Sequence, residues 1–319
     1  MFEQKFLQEI DRANNILIAG AGGGFDIFCG LPLYFALQAS GKKVYLANYS
    51  FSRMTKAVQR WGMTPFLLDV DADTKGDDEY YFPEKYLCKW FRHTIGREIV
   101  VYCFTGNPGV GPLLEAYDLL IEKLSIDSIV LVDGGTDSLL RGDEHGLGTP
   151  AEDMTSIAAV FQSNVKDRYL VTLGFGVDNF HGVSHSDVLA MIAKMTREDG
   201  FLGSFSLTRN MPEVENYINA SKYVFGKMTR KQSIVNTSII DAINGKFGNH
   251  HSTTRTHGSE LFINPLMAIY WCFKLDTLAN SILYLDKLYG TDTFEDVLRE
   301  IREFRNSYPL IKEKRDIPI

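Results

Sequence analysis

The sequence predicts an α/β protein: a Rossmann-like, doubly wound, mostly parallel sheet with a mainly helical C-terminal extension. Two observations predict the sheet. Short apolar runs alternate with longer amphipathic segments over residues 1–200, an arrangement typical of parallel strands joined by right-handed helical crossovers. The runs are also almost continuously apolar, as strands buried on both faces are. Residues 201–319 show mainly helical patterns, so we expect them to pack on this core.

Five apolar runs are assigned as strands; in chain order they are "NILIAG", "KKVYLAN", "EIVVYCF", "SIVLVDG" and "RYLVTLGFG". Helices are predicted before, between and after them. "MFEQKFLQEIDRAN" reads as an amphipathic helix, while "PLLEAYDLLIEKL" and "SHSDVLAMIAKMTRE" place apolar residues at spacings of three and four. Near the C-terminus, Thr293 is the predicted N-cap of a last helix, with Asp296 in the third position of a capping box.

An excursion over residues 50–95 interrupts the alternation. It contains an acidic turn and then an aromatic-rich helix that we expect to begin at Pro83. Because the excursion follows the second strand, it could cover the end of the sheet where ligands bind, or it could serve packing alone. The sequence leaves both open.

Composition excludes several classes of protein. Of the 319 residues, 45% are hydrophobic and 23% charged, as in an ordinary globular chain. The formal net charge of -7 argues against a nucleic-acid partner. No apolar run approaches the roughly 20 residues of a membrane span, and the four cysteines form no CxxC pair. We therefore expect a cytoplasmic protein with no membrane partner; whether it forms a homo-oligomer is open.

Three glycine-containing loops follow predicted strands: "AGAGGGFDIFCGLP", "TGNPGVGP" and "DGGTDSLLRGDE". In a parallel sheet these loops emerge at one edge, where open α/β proteins bind ligands. Glycines let the backbone approach a phosphate and turn its N–H groups outward. We expect Gly22, Gly106 and Gly134 to line a common cleft. The predicted ligand-binding residues are Gly20, Gly22, Gly23, Gly24, Gly106, Asn107, Gly134 and Gly135.

The specific nucleotide motifs are not matched. If Gly20 and Gly22 are the first two glycines of a dinucleotide motif, Phe25 stands where the third belongs. The second strand ends in Asn48 instead of the acid that holds a ribose hydroxyl, and "TGNPGVGP" lacks the lysine of a P-loop. The glycines could therefore serve only tight strand-to-helix turns, and that alternative stays open.

Acidic residues crowd the end of the fourth strand. Asp133 closes the strand and Asp137 lies four residues on, followed by Arg141. Such carboxylates repel one another unless a cation, a ligand or the arginine compensates. They could act as a base or hold magnesium; alternatively, Asp137 caps the next helix and Arg141 pairs with an acid internally. The predicted catalytic residues are Asp26, Asp133, Asp137 and Arg141, and the candidate metal ligands are Asp133, Asp137, Asp143 and Glu144.

Two motifs carry a resemblance to a known family. "GAGGGFD" at 20–26 and "DGGTDSLLRGDEHGLGTPAED" at 133–153 together resemble the prokaryotic family called domain of unknown function eleven fifty-two. With "PLMAIYWCF" at 265–273, the resemblance covers most of the chain. It implies a Rossmann-like fold with glycine loops and no particular activity. The first loop is also similar to the opening of sirtuin-type proteins, which implies an NAD-like dinucleotide, although the arginine usual there is missing.

These observations favour an enzyme, a hydrolase or transferase, acting on a nucleotide, dinucleotide or other phosphorylated small molecule, with or without magnesium. Convergent acids are costly to keep without chemistry or a charged ligand. The alternative is a non-catalytic nucleotide sensor or interaction protein that uses the same loops for binding. Turnover distinguishes the two.

Overall fold

The structure is a computed structural model that describes residues 4–56, 64–76, 81–315 and 317. Parts of the excursion at 50–95, residues 57–63 and 77–80, lie outside the described residues.

Twelve strands are present in the described chain, and eight of them form one sheet. In chain order they are β1 (Asn15–Gly20), β2 (Lys43–Tyr49), β3 (Met54–Lys56), β4 (Leu67–Val70), β5 (Lys75–Gly76), β6 (Val101–Phe104), β7 (Ser128–Gly134), β8 (Asp167–Leu173), β9 (Phe201–Ser206), β10 (Gly248–Asn249), β11 (Phe262–Ile263) and β12 (Ile269–Lys274). The order in the large sheet is β4-β6-β2-β1-β7-β8-β12-β9, while β3 pairs with β5 and β10 pairs with β11.

Helices connect and cover the strands. They are α1 (Lys5–Ile10), α2 (Asp26–Cys29), α3 (Leu31–Ala39), α4 (Pro83–Trp90), α5 (Val110–Leu124), α6 (Pro150–Gln162), α7 (His185–Arg197), α8 (Pro212–Lys227), α9 (Ile234–Ile243), α10 (Leu275–Ala279) and α11 (Phe294–Ser307). Short 3-10 turns include Asp137–Leu139 and Val177–His181, and a π-helical turn, Phe91–Ile95, follows α4.

The predicted mostly parallel sheet is confirmed. β6, β2, β1, β7 and β8 run parallel, and all five correspond to predicted runs. From β1 the chain winds one way to β2 and β6, and the other way to β7 and β8. The strand order therefore reverses between β1 and β7, and the carboxyl ends of strands at such a switch point are where open α/β sheets bind ligands.

Both faces of the sheet are buried, which explains the continuous apolar runs. Along β1, Leu17 packs in a core cluster with α5 and α6. Its neighbours Ile16 and Ile18 belong to the cluster on the other face, with α3 and α8. Because successive side chains of a strand point to opposite faces, every position must be apolar when helices cover both.

Beyond residue 200, the expectation of a mainly helical extension omitted four strands, two of which belong to the large sheet. β9 and β12 lie in the central sheet, and β12 pairs antiparallel with both β8 and β9. The sheet therefore continues across the predicted boundary at residue 200. β12 corresponds to the end of "PLMAIYWCF", a stretch that was not assigned as a strand. The strands were predicted from their alternation with helices, and an antiparallel strand needs no helical crossover.

Several local expectations are confirmed. α4 begins at Pro83, and Thr293 with Asp296 forms a complete capping box at the start of α11. The excursion also supplies β4, which pairs antiparallel with β6 at the edge of the sheet. All four cysteines are buried and free. Among the described residues, no helix combines the length and apolar character needed to cross a membrane.

Candidate functional site

The carboxylate of Asp26 connects the loops that follow β1 and β7 at the switch point. Asp26, the first residue of α2, accepts a hydrogen bond from the backbone N–H of Gly22 at 2.8 Å. It also accepts one from the backbone of Gly134, at the end of β7. Because β1 and β7 are adjacent parallel strands, the first glycine loop and the opening of the acidic loop lie side by side around Asp26. The predicted meeting of these two loops is confirmed.

Asp26 lies within a group of three carboxylates. One oxygen each of Asp26, Asp133 and Asp153 lies within 4.8 Å of the others. Asp133 is on β7 and accepts a hydrogen bond from Ser138 Oγ at 2.5 Å. Asp153 is in the first turn of α6 and is buried. These positions are far apart in sequence, and only the fold brings them together.

Two further aspartates complete what we call the acid cluster: Asp26, Asp133, Asp137, Asp153 and Asp178. Asp137 Oδ2 accepts hydrogen bonds from the backbone N–H of Thr149, at 2.8 Å, and from its hydroxyl, at 3.2 Å. Asp178, in the turn after β8, accepts one from the backbone N–H of Thr136 at 2.7 Å. Three adjacent parallel strands thus end at this cluster.

Glycines next to the acid cluster leave room for its carboxylates. A β-carbon on Gly134 would lie 2.8 Å from Asp26 Oδ1, and one on Gly135 would lie 2.7 Å from Asp178 Oδ2. Both distances are shorter than real contacts of β-carbons. Glycine is therefore required at the end of β7, because the backbone there lies directly against carboxylate oxygens.

Burial and mutual repulsion determine the protonation of the acid cluster. Burial raises the pKa of Asp26 to about 8, and the charge of Asp137 adds to the rise. Burial also raises the pKa of Asp137 itself, although the hydrogen bonds from Thr149 oppose this rise. For three carboxyls burial and the acidic neighbours raise the pKa well above its usual range: Asp133, Asp153 and Asp178. Without a compensating cation, burial and mutual repulsion therefore favour the protonated form of these carboxyl groups.

A cavity of about 870 Å³ opens beside the cluster and is lined by Asp26 and Asp178. This volume falls within the range of roughly 300–1,000 Å³ of small-molecule sites. Its lining includes the aromatic side chains of Phe51, Tyr81 and Phe180. Phe51 and Tyr81 belong to the excursion at 50–95, so the described part of the excursion borders the cavity.

Cationic side chains line the same cavity. Lys231 lies between α8 and α9, and Arg255 lies in the turn after β10. Arg255 Nη1 donates to the backbone carbonyl of Gln232 at 2.6 Å, which links the two segments. The cavity therefore offers carboxylates, aromatic rings and cations to one ligand.

A family model matches more than half of this chain. The model described as "Protein of unknown function (DUF1152)" matches residues 84–308. The chain belongs to the DUF1152 family. In this DUF1152 protein the match covers β6 to β12, including Asp133, Asp153 and Asp178, and begins after the glycine loop at 20–26. Neither the curated proteins nor the solved structures contain a match to the chain, so the similarity to sirtuin-type proteins has no further support.

The loop after the third predicted strand does not reach the cavity of the DUF1152 protein. Asn107 accepts a hydrogen bond at its carbonyl from the backbone of Phe294 at 3.1 Å. Gly106 lies against Phe66, and neither loop residue lines the cavity. Gly22 and Gly134 also lie outside the cavity lining, so the expectation that they line a common cleft with Gly106 is wrong. The loop of Gly106 is separate because β2 lies between β6 and β1, and the C-terminal segment covers the end of β6.

Arg141, Asp143 and Glu144 lie in a second charged group. Arg141 Nε is 3.6 Å from Asp143 Oδ1, and Lys312 Nζ is 2.7 Å from the same oxygen. Glu144 accepts from the backbone N–H of Gly142 at 2.8 Å. These contacts do not support Arg141 as an anion partner or Asp143 and Glu144 as metal ligands. They match the alternative in which Arg141 pairs with an acid internally.

The first glycine loop uses its amides within the protein. The N–H of Gly22 donates to Asp26, and that of Gly24 donates to the carbonyl of Tyr49 at 3.0 Å. Gly23 has a φ of 82°, a conformation that side chains rarely adopt. The expectation that these amides cradle a phosphate is therefore corrected for Gly22 and Gly24, and this part of the loop serves a tight turn.

Asn48, at the end of β2, also holds this loop in place. Its side-chain amide donates to the carbonyl of Gly24 at 2.8 Å and to Glu84 Oε1 at 2.9 Å. A β-carbon on Gly20 would collide with the side chain of Asn48. The residue that replaces the usual ribose-binding acid is thus fully buried and structural.

Sequence reasoning missed four residues of the site. Asp153 ends the long acidic motif and lies in the first turn of a helix that begins at Pro150. Asp178 follows a strand and two glycines, which is the pattern that singled out Asp26. Lys231 and Arg255 lie in "GKMTRKQ" and "NHHSTTRTHG", two stretches that follow none of the predicted strands. Because Lys231 and Arg255 are far in sequence from the loops after the predicted strands, no local pattern indicated that they would lie at this edge of the sheet.

Proposed function

We propose that this DUF1152 protein is an enzyme, a hydrolase or transferase, that acts on a nucleotide, dinucleotide or other phosphorylated small molecule in the cavity at the switch point. The observation that carries the proposal is the position of the acid cluster, which borders a cavity of suitable size through Asp26 and Asp178. Buried carboxyl groups with raised pKa values that also line a cleft are typical of functional sites.

Each part of the cavity matches a part of such a ligand. Phe51 and Tyr81 offer rings against which a base can stack. Lys231 and Arg255 offer donors to phosphate oxygens, a role that the amides of the glycine loop do not fill. Asp178 can accept hydrogen bonds from sugar hydroxyls.

Asp26 is the proposed general acid or base. Its carboxyl group lines the cavity, and its pKa of about 8 lies close to neutral pH, where an acid or base transfers protons most effectively. With the reacting phosphoryl or glycosyl bond placed beside it, Asp26 would donate its proton to the leaving-group oxygen, or as a carboxylate accept one from the attacking water or second substrate.

The first test measures binding and turnover. Nucleoside mono-, di- and triphosphates and dinucleotides are added to the full chain with EDTA or with magnesium. Thermal shift reports binding and mass spectrometry reports products. We expect at least one of these ligands to stabilise the protein and to be converted.

Asp26→Asn should keep binding and lower turnover by roughly 100-fold or more. Asp143→Asn, an acid outside the cluster, is the matched control and should retain turnover. If no phosphorylated ligand binds under either condition, the proposal fails.

The nucleotide sensor remains the second candidate, and one observation favours it. Part of the cavity wall, including Arg255 and Gly258, belongs to the irregular segment between α9 and β12. A ligand there could order this surface without being changed. Tight binding without product under every metal condition would identify the sensor.

A further inference from the structure

We propose that Asp26, Asp133 and Asp153 bind one hard divalent cation, magnesium or manganese. One oxygen of each carboxylate lies within 4.8 Å of the others. Ligands on opposite sides of an octahedral magnesium ion are about 4.2 Å apart, given a metal–oxygen distance near 2.1 Å. Adjacent ligands of such an ion are about 3.0 Å apart, so the three carboxylates would rotate toward one another around a bound ion. The group contains neither histidine nor cysteine, and pure oxygen donors select magnesium and manganese over zinc.

Asp153 supplies an independent observation. Its side chain is 2% exposed, and its Oδ1 has no hydrogen-bond partner in the described structure. A β-carbon on Gly22 would lie 2.9 Å from this oxygen and 2.8 Å from Asp26 Oδ2, so both oxygens lie beside the same α-carbon. A buried carboxylate oxygen without a partner is costly. A cation shared with Asp26 would satisfy it.

The other ligands are already oriented by hydrogen bonds. Ser138 Oγ donates to Asp133 Oδ2, and the backbone N–H of Gly22 donates to Asp26 Oδ2. Hydrogen bonds of this kind fix the orientation of a metal-binding carboxylate and are as much part of a metal site as the ligands. Asp137 and Asp178 add negative charge nearby, which favours a cation further.

The position of the group determines how a cation would be used. Asp26 lines the cavity, whereas Asp133 and Asp153 are buried behind it. A cation held by all three would keep coordination positions open toward the cavity for water or for phosphate oxygens. In the cation-bound protein Asp26 would be a ligand, and a water molecule on the cation would exchange the proton in place of Asp26. This role in catalysis rests on the proposed function, but cation binding itself is tested without a nucleotide.

The experiment uses the full chain, treated with EDTA and then dialysed. Manganese is titrated in, and electron paramagnetic resonance reports the free ion while calorimetry reports the stoichiometry. We expect one manganese per chain, displaced by magnesium. Asp153→Asn and Asp26→Asn should each weaken binding by at least about tenfold. The control Asp143→Asn removes an acid of the same loop that is held by Lys312, and it should bind as the wild type does.

A further variant keeps the test valid if Asp153→Asn or Asp26→Asn does not fold. Gly22→Ala removes no ligand but places a methyl group against the oxygens of Asp26 and Asp153, and its circular dichroism is compared with that of the wild type. It should also weaken binding about tenfold.

The proposal is overturned if folded Asp153→Asn and Gly22→Ala bind manganese normally. It is equally overturned if the wild type shows no saturable binding up to about 10 mM, above the range of weak protein cation sites. Manganese binding without any nucleotide binding would leave the cation site standing and defeat only the proposed function.

Discussion

At the scale of single residues, Asp26 connects the two sides of the switch point. Its carboxylate accepts hydrogen bonds from the backbones of Gly22 and Gly134, which belong to loops after adjacent strands. It also lines the cavity and interacts with the charges of the other aspartates. One side chain therefore holds the local turn, contributes to the electrostatics of the cluster and forms part of the cavity wall.

The raised pKa of Asp26 predicts how stability depends on pH. Between its ordinary value of 3.8 and its folded value of about 8, the folded chain holds a proton that the unfolded chain has released. The contribution of Asp26 to stability is thus full below about pH 4 and is lost as the pH rises toward 8. In EDTA, the free energy of unfolding should fall over this range, by up to about 1.4 kcal/mol per pH unit for each such carboxyl. Urea titrations at several pH values measure this free energy of unfolding.

The matched variant isolates this contribution. Asp26→Asn is neutral at every pH, so its free energy of unfolding should fall less steeply between about pH 5 and pH 8 than that of the wild type. Added magnesium should flatten the wild-type slope in the same range. Equal slopes for the wild type and the variant in EDTA would contradict the raised pKa.

Gly135 provides a second test at the residue scale. Alanine there would place a β-carbon 2.7 Å from Asp178 Oδ2, so Gly135→Ala should destabilise the protein by about 1–3 kcal/mol in urea unfolding. The control is Gly226→Ala in α8, where a β-carbon meets nothing within 4 Å and alanine should stabilise by about 0.5–1 kcal/mol. Equal effects of the two variants would show that the contact of Gly135 with Asp178 is unimportant.

At the scale of the elements, α6 is central to the site. Asp153 lies in its first turn, and its N-cap, Thr149, donates two hydrogen bonds to Asp137. Negative side chains near a helix N-terminus are favoured by the helix dipole. Asp137 therefore stabilises the start of α6, as the structural alternative from the sequence proposed, and in doing so it brings Asp153 and Asp133 into one cluster.

Substitutions of Asp137 separate this structural role from a catalytic one. Asp137→Ala leaves the donors of Thr149 without a partner, so it should cost about 1–3 kcal/mol of unfolding free energy. Asp137→Asn keeps an acceptor oxygen and should cost much less. If Asp137→Asn is stable and also fully active, Asp137 positions α6 and takes no part in the chemistry. A similar loss of stability in both variants would contradict the role of the hydrogen bonds.

At the scale of the whole molecule, the cavity combines the switch point with distant parts of the chain. The switch point supplies Asp26 and Asp178, the excursion supplies Phe51 and Tyr81, and the C-terminal region supplies Arg255. A ligand that fills the cavity must contact all three regions. Binding should therefore order backbone segments that are remote from one another in sequence.

Hydrogen exchange tests this expectation. With a bound phosphorylated ligand, amide exchange should slow in residues 23–26 and 255–261, since both segments line the cavity. The loop of Gly106 and Asn107 is the internal control and should be unchanged, because it lies against the C-terminal segment and outside the cavity. Protection of that loop without protection of residues 255–261 would place the ligand elsewhere.

Local patterns in the sequence predicted the five parallel strands, five of the helices and the edge of the sheet at which the acids gather. "NILIAG" and "SIVLVDG" match β1 and β7 residue for residue, because a strand covered on both faces must be continuously apolar. The same patterns marked Asp26, Asp133 and Asp137, since charge directly after a buried strand is unusual.

Only the tertiary structure decided which of these residues meet. Asp153 joins Asp26 and Asp133 because α6 packs back on the sheet, whereas Arg141 turns toward Asp143. Gly106 follows a strand of the same edge but lies two strands from β1. Periodicity and glycine content report each residue's local conformation, but strand order and the packing of helices depend on contacts across the whole chain. That is why the acids could be recognised from the sequence, and why their grouping, their protonation and the cavity beside them could not.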